Sequence, residues 1–274
     1  LLFGSITTGY KPGGFGSFNI EPRDGVDPSD CAFFVSCVVD NSEYRPGDFG
    51  PETVTSYELG YKGRIMGGRT QLGINAFLYD YEDLQAIFNI GPRVVVDNVG
   101  QVDGQGVEID VNTALTDNFG FRFGLSWFDS EATDVQAFCG NGEILTGDPD
   151  ACEGNSIPWA PEWTAFAVLN TTFPVRDGEF FGRVAWSWED DYRGDWPDPN
   201  VIYQRIRALN QTDIVVGYRK DQWRVSAYVE NVFDGVWYDG NYSNDDPDPI
   251  IIYAEHTFGP SRPRTAGIRF GYEF

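Results

Sequence analysis

Phe119-Gly120-Phe121-Arg122-Phe123-Gly124-Leu125-Ser126-Trp127 alternates without a break: Phe119, Phe121, Phe123, Leu125 and Trp127 on one side, Gly120, Arg122, Gly124 and Ser126 on the other. Side chains of a strand point alternately to opposite faces, so this stretch is a strand with one apolar and one polar face. The same period of two recurs outward from it. Leu72, Ile74, Ala76 and Leu78 oppose Gln71, Gly73 and Asn75, with Phe77 and Tyr79 further along; Val107, Ile109, Val111 and Leu115 oppose Glu108, Asp110 and Asn112. Trp223, Val225, Ala227 and Val229 oppose Gln222, Arg224, Ser226 and Glu230, and the last segment alternates from Ala266 to Phe274. Ten strands are predicted, at about 1–9, 53–65, 70–81, 99–115, 119–130, 163–173, 179–190, 206–218, 222–232 and 263–274.

A soluble sandwich also alternates, and strand length separates the two cases. Most of these segments run roughly 9 to 13 residues, whereas strands of soluble domains average about 5–6 and a tilted crossing of a bilayer needs about 9–11. The connections alternate as well. Residues 66–69, 116–118, 174–178 and 219–221 are tight turns rich in Gly, Asp and Asn; residues 10–52, 82–98, 131–162, 191–205 and 233–262 are long. Short turns at one end and long loops at the other predict an outer-membrane barrel wall, with periplasm below and exterior above. Trp127, Trp163, Trp186 and Trp188 fall near the loop ends of their strands, and Phe119, Phe173, Trp223 and Phe274 near the turn ends, as aromatic girdles require.

Composition narrows the function. The 274 residues carry 19 Lys plus Arg against 42 Asp plus Glu, a formal charge of −23, which excludes a nucleic-acid partner held on a basic face. Aromatics at 16% are too many bulky apolar rings for a disordered acidic tail. No stretch approaches the roughly 18 apolar residues of a membrane helix, which leaves barrel strands as the means of crossing. Leu1 is not Met and the first nine residues already read as strand, so the chain is expected to continue upstream.

Thr8-Gly9-Tyr10-Lys11-Pro12-Gly13-Gly14-Phe15, Pro51 to Gly63 with Ser56-Tyr57-Glu58-Leu59-Gly60-Tyr61-Lys62, Glu230-Asn231-Val232-Phe233-Asp234, and Pro260-Ser261-Arg262-Pro263-Arg264 running into the aromatic terminus together resemble the carboxy-terminal part of TonB-dependent outer-membrane receptors. The resemblance extends over nearly the whole chain. It implies an all-β fold: ten antiparallel transmembrane strands, the last ten of a 22-stranded barrel, open as given because its edge strands lack their neighbours. Closure of these ten strands into a small barrel is the competing arrangement. Residues 1–274 would then be one unit without the amino-terminal plug and without the segment that contacts TonB. The implied function is energised uptake of a scarce nutrient across the bacterial outer membrane, a ferric siderophore first, with oligosaccharide, haem or cobalamin as alternatives. The implied partners are outer-membrane lipid and lipopolysaccharide, the nutrient, and TonB through the plug. Phe274, the aromatic carboxy-terminus, is the expected assembly signal.

Residues that could carry chemistry lie mostly in the loops. Cys31 with Cys37 and Cys139 with Cys152 form two local pairs, each inside one loop; disulfide staples in an oxidising envelope are the expectation, and a four-thiolate zinc site the rival with the wrong spacing. Trp196, Tyr203, Trp237, Tyr242 and Tyr253 are candidate ligand contacts, with Arg205 and Arg207 able to pair with an anionic chelate. Acidic residues crowd the loops, among them Asp24, Asp27, Asp30, Asp148, Asp150, Glu153, Glu189 to Asp191, Asp195, Asp239, Asp245, Asp246 and Asp248; solvation explains them, and Asn244 to Asp248 is a weak candidate for a cation. His256, the single histidine, stands beside Glu255 without a nucleophile or metal motif, so neither catalysis nor a resident metal or cofactor is expected. A ten-stranded porin or outer-membrane protease is the remaining alternative. If hydrocarbon covers the apolar side, arginine at Val225 or Ile268 should impair assembly, and arginine at Ser226 or Gly267 should do less harm.

Overall fold

The computed structural model describes residues 1–22, 44–90, 93–98, 100–135, 153–194, 205–242 and 257–273. Its strands are, in chain order, β1 (Leu2–Lys11), β2 (Gly14–Pro22), β3 (Tyr44–Phe49), β4 (Glu52–Ile65), β5 (Thr70–Glu82), β6 (Gln85–Ile90), β7 (Arg93–Asn98), β8 (Gly100–Ala114), β9 (Phe119–Val135), β10 (Trp163–Val175), β11 (Gly178–Glu189), β12 (Tyr192–Arg193), β13 (Arg205–Ile206), β14 (Leu209–Lys220), β15 (Trp223–Glu230), β16 (Tyr238–Tyr242), β17 (Thr257–Pro260) and β18 (Thr265–Tyr272). Ten of them form one antiparallel sheet in the order β1-β4-β5-β8-β9-β10-β11-β14-β15-β18. These are the ten predicted strands, and the largest boundary difference is β9, which ends at Val135 rather than near 130.

Four short hairpins, β2–β3, β6–β7, β12–β13 and β16–β17, continue the long connections beyond the sheet. Sequence reading left these as loops. Segments such as Gly14–Pro22 and Tyr44–Phe49 are interrupted by Gly and Pro, so no clean alternation marks them.

The sheet is not closed: among the described residues β1 pairs only with β4, and β18 only with β15. Closure of these ten strands into a small barrel is therefore excluded in favour of the open arrangement. Register assigns every side chain of the sheet to one of two faces. Leu2, Ile6, Leu59, Ile74, Val107, Leu125, Leu169, Val184, Val216, Val225 and Ile268 share one face. Among the described residues no second sheet or helix covers it: Ile268 is 80% exposed, Ile6 74% and Leu59 66%. A soluble domain with such a face would pay heavily in water. Rings mark its two ends. Trp127 and Trp163 are opposite each other with centroids 6.2 Å apart, Trp127 Nε1 donates to Glu162 Oε1 (3.1 Å), and Trp186 Nε1 donates to Asn210 Oδ1 (2.9 Å). At the turn end Phe119 and Phe173 lie 5.3 Å apart, and Trp223 touches Phe270 (5.0 Å) and Tyr272 (4.5 Å). Phe274 lies outside the described residues.

The opposite face is polar but not free of rings. Phe77, Tyr79 and Tyr81 extend the polar side of β5, because they continue the set Gln71, Gly73 and Asn75. Glycines make room for such rings. Phe3 lies opposite Gly60, Phe77 opposite Gly106, Phe166 opposite Gly124, Phe181 opposite Gly217 and Tyr228 opposite Gly267. A Cβ on any of these glycines would come within 2.2–2.6 Å of the ring or hydroxyl across the strand. Each ring therefore lies down on the backbone of its neighbour, filling the space a missing side chain leaves. At the turns, Lys220 hydrogen-bonds the Asp177 carboxylate and holds it below the usual carboxylate range.

Candidate functional site

The polar face and the loop end of the sheet are where a water-borne ligand can be met, and two buried polar nodes build that end. In the first, Gln85 Nε2 donates to the carbonyls of Pro12 (3.1 Å) and Gly50 (2.8 Å), and the Gln85 N–H donates to Glu52 Oε2 (2.9 Å). Asn98 Oδ1 accepts the Gly50 N–H (2.6 Å) while its Nδ2 donates to the Asp83 carbonyl (2.6 Å). One pair of amides thus ties the roots of the first two loops together. The approach is close enough that a Cβ on Gly13 would sit 2.4 Å from the Phe49 carbonyl, which explains Pro12-Gly13-Gly14 in the family-like motif.

The second node centres on Asn231, which is 2% exposed. Its Oδ1 accepts the Gly235 N–H (3.0 Å), its Nδ2 donates to the Gly235 (2.8 Å) and Arg262 (3.1 Å) carbonyls, and its own N–H donates to Asp213 Oδ1 (2.8 Å). Asp234 Oδ1 accepts the Arg264 N–H (2.9 Å), and Ser261 exchanges hydrogen bonds with the backbone of Trp237. The two motifs Asn231 to Asp234 and Ser261 to Arg264, distant in sequence, are the two sides of one clamp at the root of the last loop. Asn231 also holds φ +52, a conformation Asn tolerates better than other non-glycine residues. Asn231→Ala is expected to cost about 1–3 kcal/mol by orphaning these groups and to expose the loop to protease. Limited proteolysis of the membrane-embedded protein checks this; an unchanged cleavage pattern would count against the clamp.

Between β9 and β10, the Ile157 N–H donates to the Ser130 hydroxyl (3.2 Å) on the polar face, which draws the segment across the inner side of the wall. Trp159 follows, 56% exposed at φ +62, with its N–H on the Arg193 carbonyl (2.7 Å) and its ring 6.2 Å from that of Tyr192. A bulky residue in the left-handed region is a strained position of the kind found at ligand contacts. Sequence reading missed Trp159; its setting in Pro158-Trp159-Ala160-Pro161 was the available signal.

The sequence candidates scatter. Trp196, Tyr203, Tyr253, His256, Cys31, Cys37, Cys139 and Cys152 lie outside the described residues, as do Asp24, Asp27, Asp30, Asp148, Asp150, Asp195, Asp245, Asp246 and Asp248. Arg205 sits in β13 opposite Arg193, Arg207 follows it exposed, and Tyr242 closes β16 opposite Thr257. Trp237 is half-buried at the clamp, so its backbone is structural whatever its ring contacts. Glu189, Asp190 and Asp191 are half-buried and Glu153 is exposed; among the described residues no group of three or more His, Cys, Asp or Glu is arranged to hold a metal.

The inner wall carries its own charges. Glu58, Glu108 and Asp110 lie on the polar face of β4 and β8, and Arg122, Arg183, Arg219, Arg224 and Arg269 on that of β9 to β18. Arg219 pairs with Glu179, Arg269 Nη2 lies 3.5 Å from Glu230 Oε1, and Asp213 accepts from Gln211.

Comparison with known proteins bears on this architecture. The family model described as TonB dependent receptor-like, beta-barrel matches residues 1–232. The chain is 24% identical over 248 residues to the pesticin receptor of Yersinia pestis, covering 89% of this chain and 30% of that protein. It is 27% identical over 124 residues to the probable TonB-dependent siderophore receptor PiuA of Acinetobacter baumannii, covering 43% of this chain and 16% of that one. Among solved structures it superposes on the ferric yersiniabactin uptake receptor FyuA of Yersinia pestis with a TM-score of 0.69 at 21% identity, over 100% of this chain and 35% of that one. The siderophore receptor PiuA gives 0.66 at 18% identity, over 99% and 33%. The chain thus spans about a third of the length of the relatives it matches.

Proposed function

Because the chain belongs to the TonB-dependent receptor-like β-barrel family of the outer membrane, a family of transporters and not of enzymes, we propose that residues 1–274 are the carboxy-terminal wall of a receptor that captures a ferric siderophore and imports it with energy delivered by TonB. The observation that carries this reading is the two-sidedness of the sheet. Among the described residues one face is apolar, uncovered and ringed by aromatics at both ends; the other is polar, and hairpins extend it at the loop end. Hydrocarbon suits the first face, and a large polar ligand with its water suits the second. Relatives named as siderophore receptors support iron as the cargo.

In this reading an upstream plug, held inside the completed barrel, carries the contact with TonB. The mouth would be lined by Trp196, Tyr203, Arg205, Arg207, Trp237, Tyr242 and Tyr253 at the last two loops, while disulfides Cys31–Cys37 and Cys139–Cys152 would staple the first and third. Lipopolysaccharide would surround the outer girdle.

The test is transport. Cells carrying and lacking the natural full-length receptor are starved of iron and offered radioactive iron as ferric catecholate, hydroxamate and carboxylate chelates; uptake of at least one is expected to depend on the receptor and on TonB. Binding of maltodextrins, haem or cobalamin by the purified receptor, with no chelate bound, would reassign the cargo.

A further inference from the structure

Trp163 and Trp223 are exposed on the apolar face of the sheet, where hydrocarbon accounts for them. Trp159 is more exposed than either and follows a segment fastened to the polar side of the wall. Its backbone is fixed on both sides. The Gly154 N–H donates to the Ala132 carbonyl (2.9 Å), the Ala132 N–H to the Asn155 carbonyl (3.0 Å), and the Phe128 N–H to the Glu162 carbonyl (2.8 Å). Pro158 and Pro161 restrict the chain immediately before and after it. The hydrogen bond from the Trp159 N–H to the Arg193 carbonyl completes the frame, and within it the residue holds φ +62, an unfavourable conformation for a bulky side chain. A ring that stays largely in water offsets little of that cost by packing. The frame therefore displays the ring rather than burying it.

The place of the ring decides what can reach it. Ser130, which takes the Ile157 N–H, comes three residues after Trp127 on β9, and Tyr192 comes four residues after Trp188. Both lie past the outer ring of tryptophans, so this corner stands on the exterior side of the membrane, where a solute arrives before it meets the enclosed interior. The rings of Trp159 and Tyr192 are inclined at 53° and form two sides of that corner. Aromatic faces and edges set at such an angle accept a further flat ring. Arg193 pairs in register with Arg205 and Arg207 follows, three basic residues next to Tyr192 in a chain of net charge −23. The nearby Asp190 carboxylate is turned onto the Asp191 N–H (2.9 Å). Guanidinium groups suit the anionic oxygens of phenolates and catecholates.

We infer that Trp159 and Tyr192 form an aryl subsite at the mouth, which stacks on the ring of a catecholate or phenolate chelate, and that Trp159 is a specificity-determining residue. This rests on the uptake reading above and deepens it by naming the class of chelate.

The experiment uses the natural full-length receptor in de-energised, iron-starved cells. Radioactive iron is offered as ferric 2,3-dihydroxybenzoate and ferric salicylate, which carry aryl rings, and as ferric citrate and ferrioxamine B, which do not. Wild type, Trp159→Gly and Trp159→Phe are compared for equilibrium binding, and the purified proteins for thermal unfolding. Glycine removes the ring and adopts a positive φ without strain. Trp159→Gly is therefore expected to unfold at or above the wild-type midpoint while binding the aryl chelates roughly two- to tenfold more weakly, the range of one aromatic contact. Whatever binding of citrate and ferrioxamine B wild type shows is unchanged. Trp159→Phe keeps a ring and most of the affinity. Equal aryl-chelate binding by wild type and Trp159→Gly overturns the subsite. So does an equal fall for every chelate, or a clearly lower unfolding midpoint, since either makes the ring a structural prop. A wild type that binds only citrate or ferrioxamine B also overturns it. In each of these cases uptake of a ferric chelate stands. A wild type that binds none of the chelates overturns both this inference and the uptake reading.

Discussion

Val184→Arg is expected to cost about 2–4 kcal/mol, the penalty for a cation near the bilayer midplane, and to remove most of the protein from the outer membrane. Val184 sits in the middle of β11 on the apolar face, opposite Leu169 and Ile214. Its sequence neighbour Arg183 is already an arginine, tolerated because it belongs to the polar face with Asn170. Ser187→Arg, on the same strand, exposed and on the polar face, is the control and should assemble within about 1 kcal/mol of wild type. The controls suggested by alternation alone, Ser226 and Gly267, are unsuitable. Ser226 is buried, and a Cβ on Gly267 would lie 2.6 Å from the Tyr228 hydroxyl, so damage there would report packing rather than lipid. The readout is the amount of heat-modifiable barrel recovered from membranes. Equal loss for Val184→Arg and Ser187→Arg would mean that hydrocarbon does not define the two faces.

The second large effect belongs to Gly106→Ala, a single methyl group. The new carbon would meet Phe77 Cζ at 2.4 Å and the Trp127 carbonyl at 2.6 Å, so a ring swing alone cannot relieve it and the β8–β9 backbone must give. Overpacking of this kind costs about 1–3 kcal/mol. Gly73→Ala on the neighbouring strand meets nothing closer than Asp110 Cβ at 3.7 Å and should change stability by no more than ~0.5 kcal/mol. Urea unfolding of the full-length protein in detergent separates the two. The Phe77→Ala/Gly106→Ala double variant should recover little, because the Trp127 carbonyl remains in place. Indistinguishable midpoints for Gly106→Ala and Gly73→Ala would show that the barrel absorbs the methyl without strain.

How much could be read before the fold was known depended on how each segment is solvated. Where one face meets hydrocarbon and the other water, as from Phe119 to Trp127 or Gly106 to Leu115, each residue type reports its side, and ten strands follow to within a few residues. Phe77, Tyr79 and Tyr81 broke that code: they are rings on the polar face, legible only once Gly106 and Gly104 are seen to lie beside them. The four loop hairpins carry no such code. The candidate ligand residues were chosen by type alone, and a type does not say that Trp237 sits at a clamp or that Arg205 pairs in register with Arg193.

By itself the order of residues settled the ten strands of the wall, the two faces and the end that bears loops, because a period of two and the length of a bilayer crossing are properties of contiguous chain; the family resemblance rested on short motifs instead. Register across strands decided the rest: which glycine lies under which ring, that Asn231 reaches Arg262, that Trp159 reaches Tyr192, and that β1 and β18 do not meet. Those are contacts between residues tens of positions apart, and their energies depend on distances of a few ångströms that no local pattern encodes.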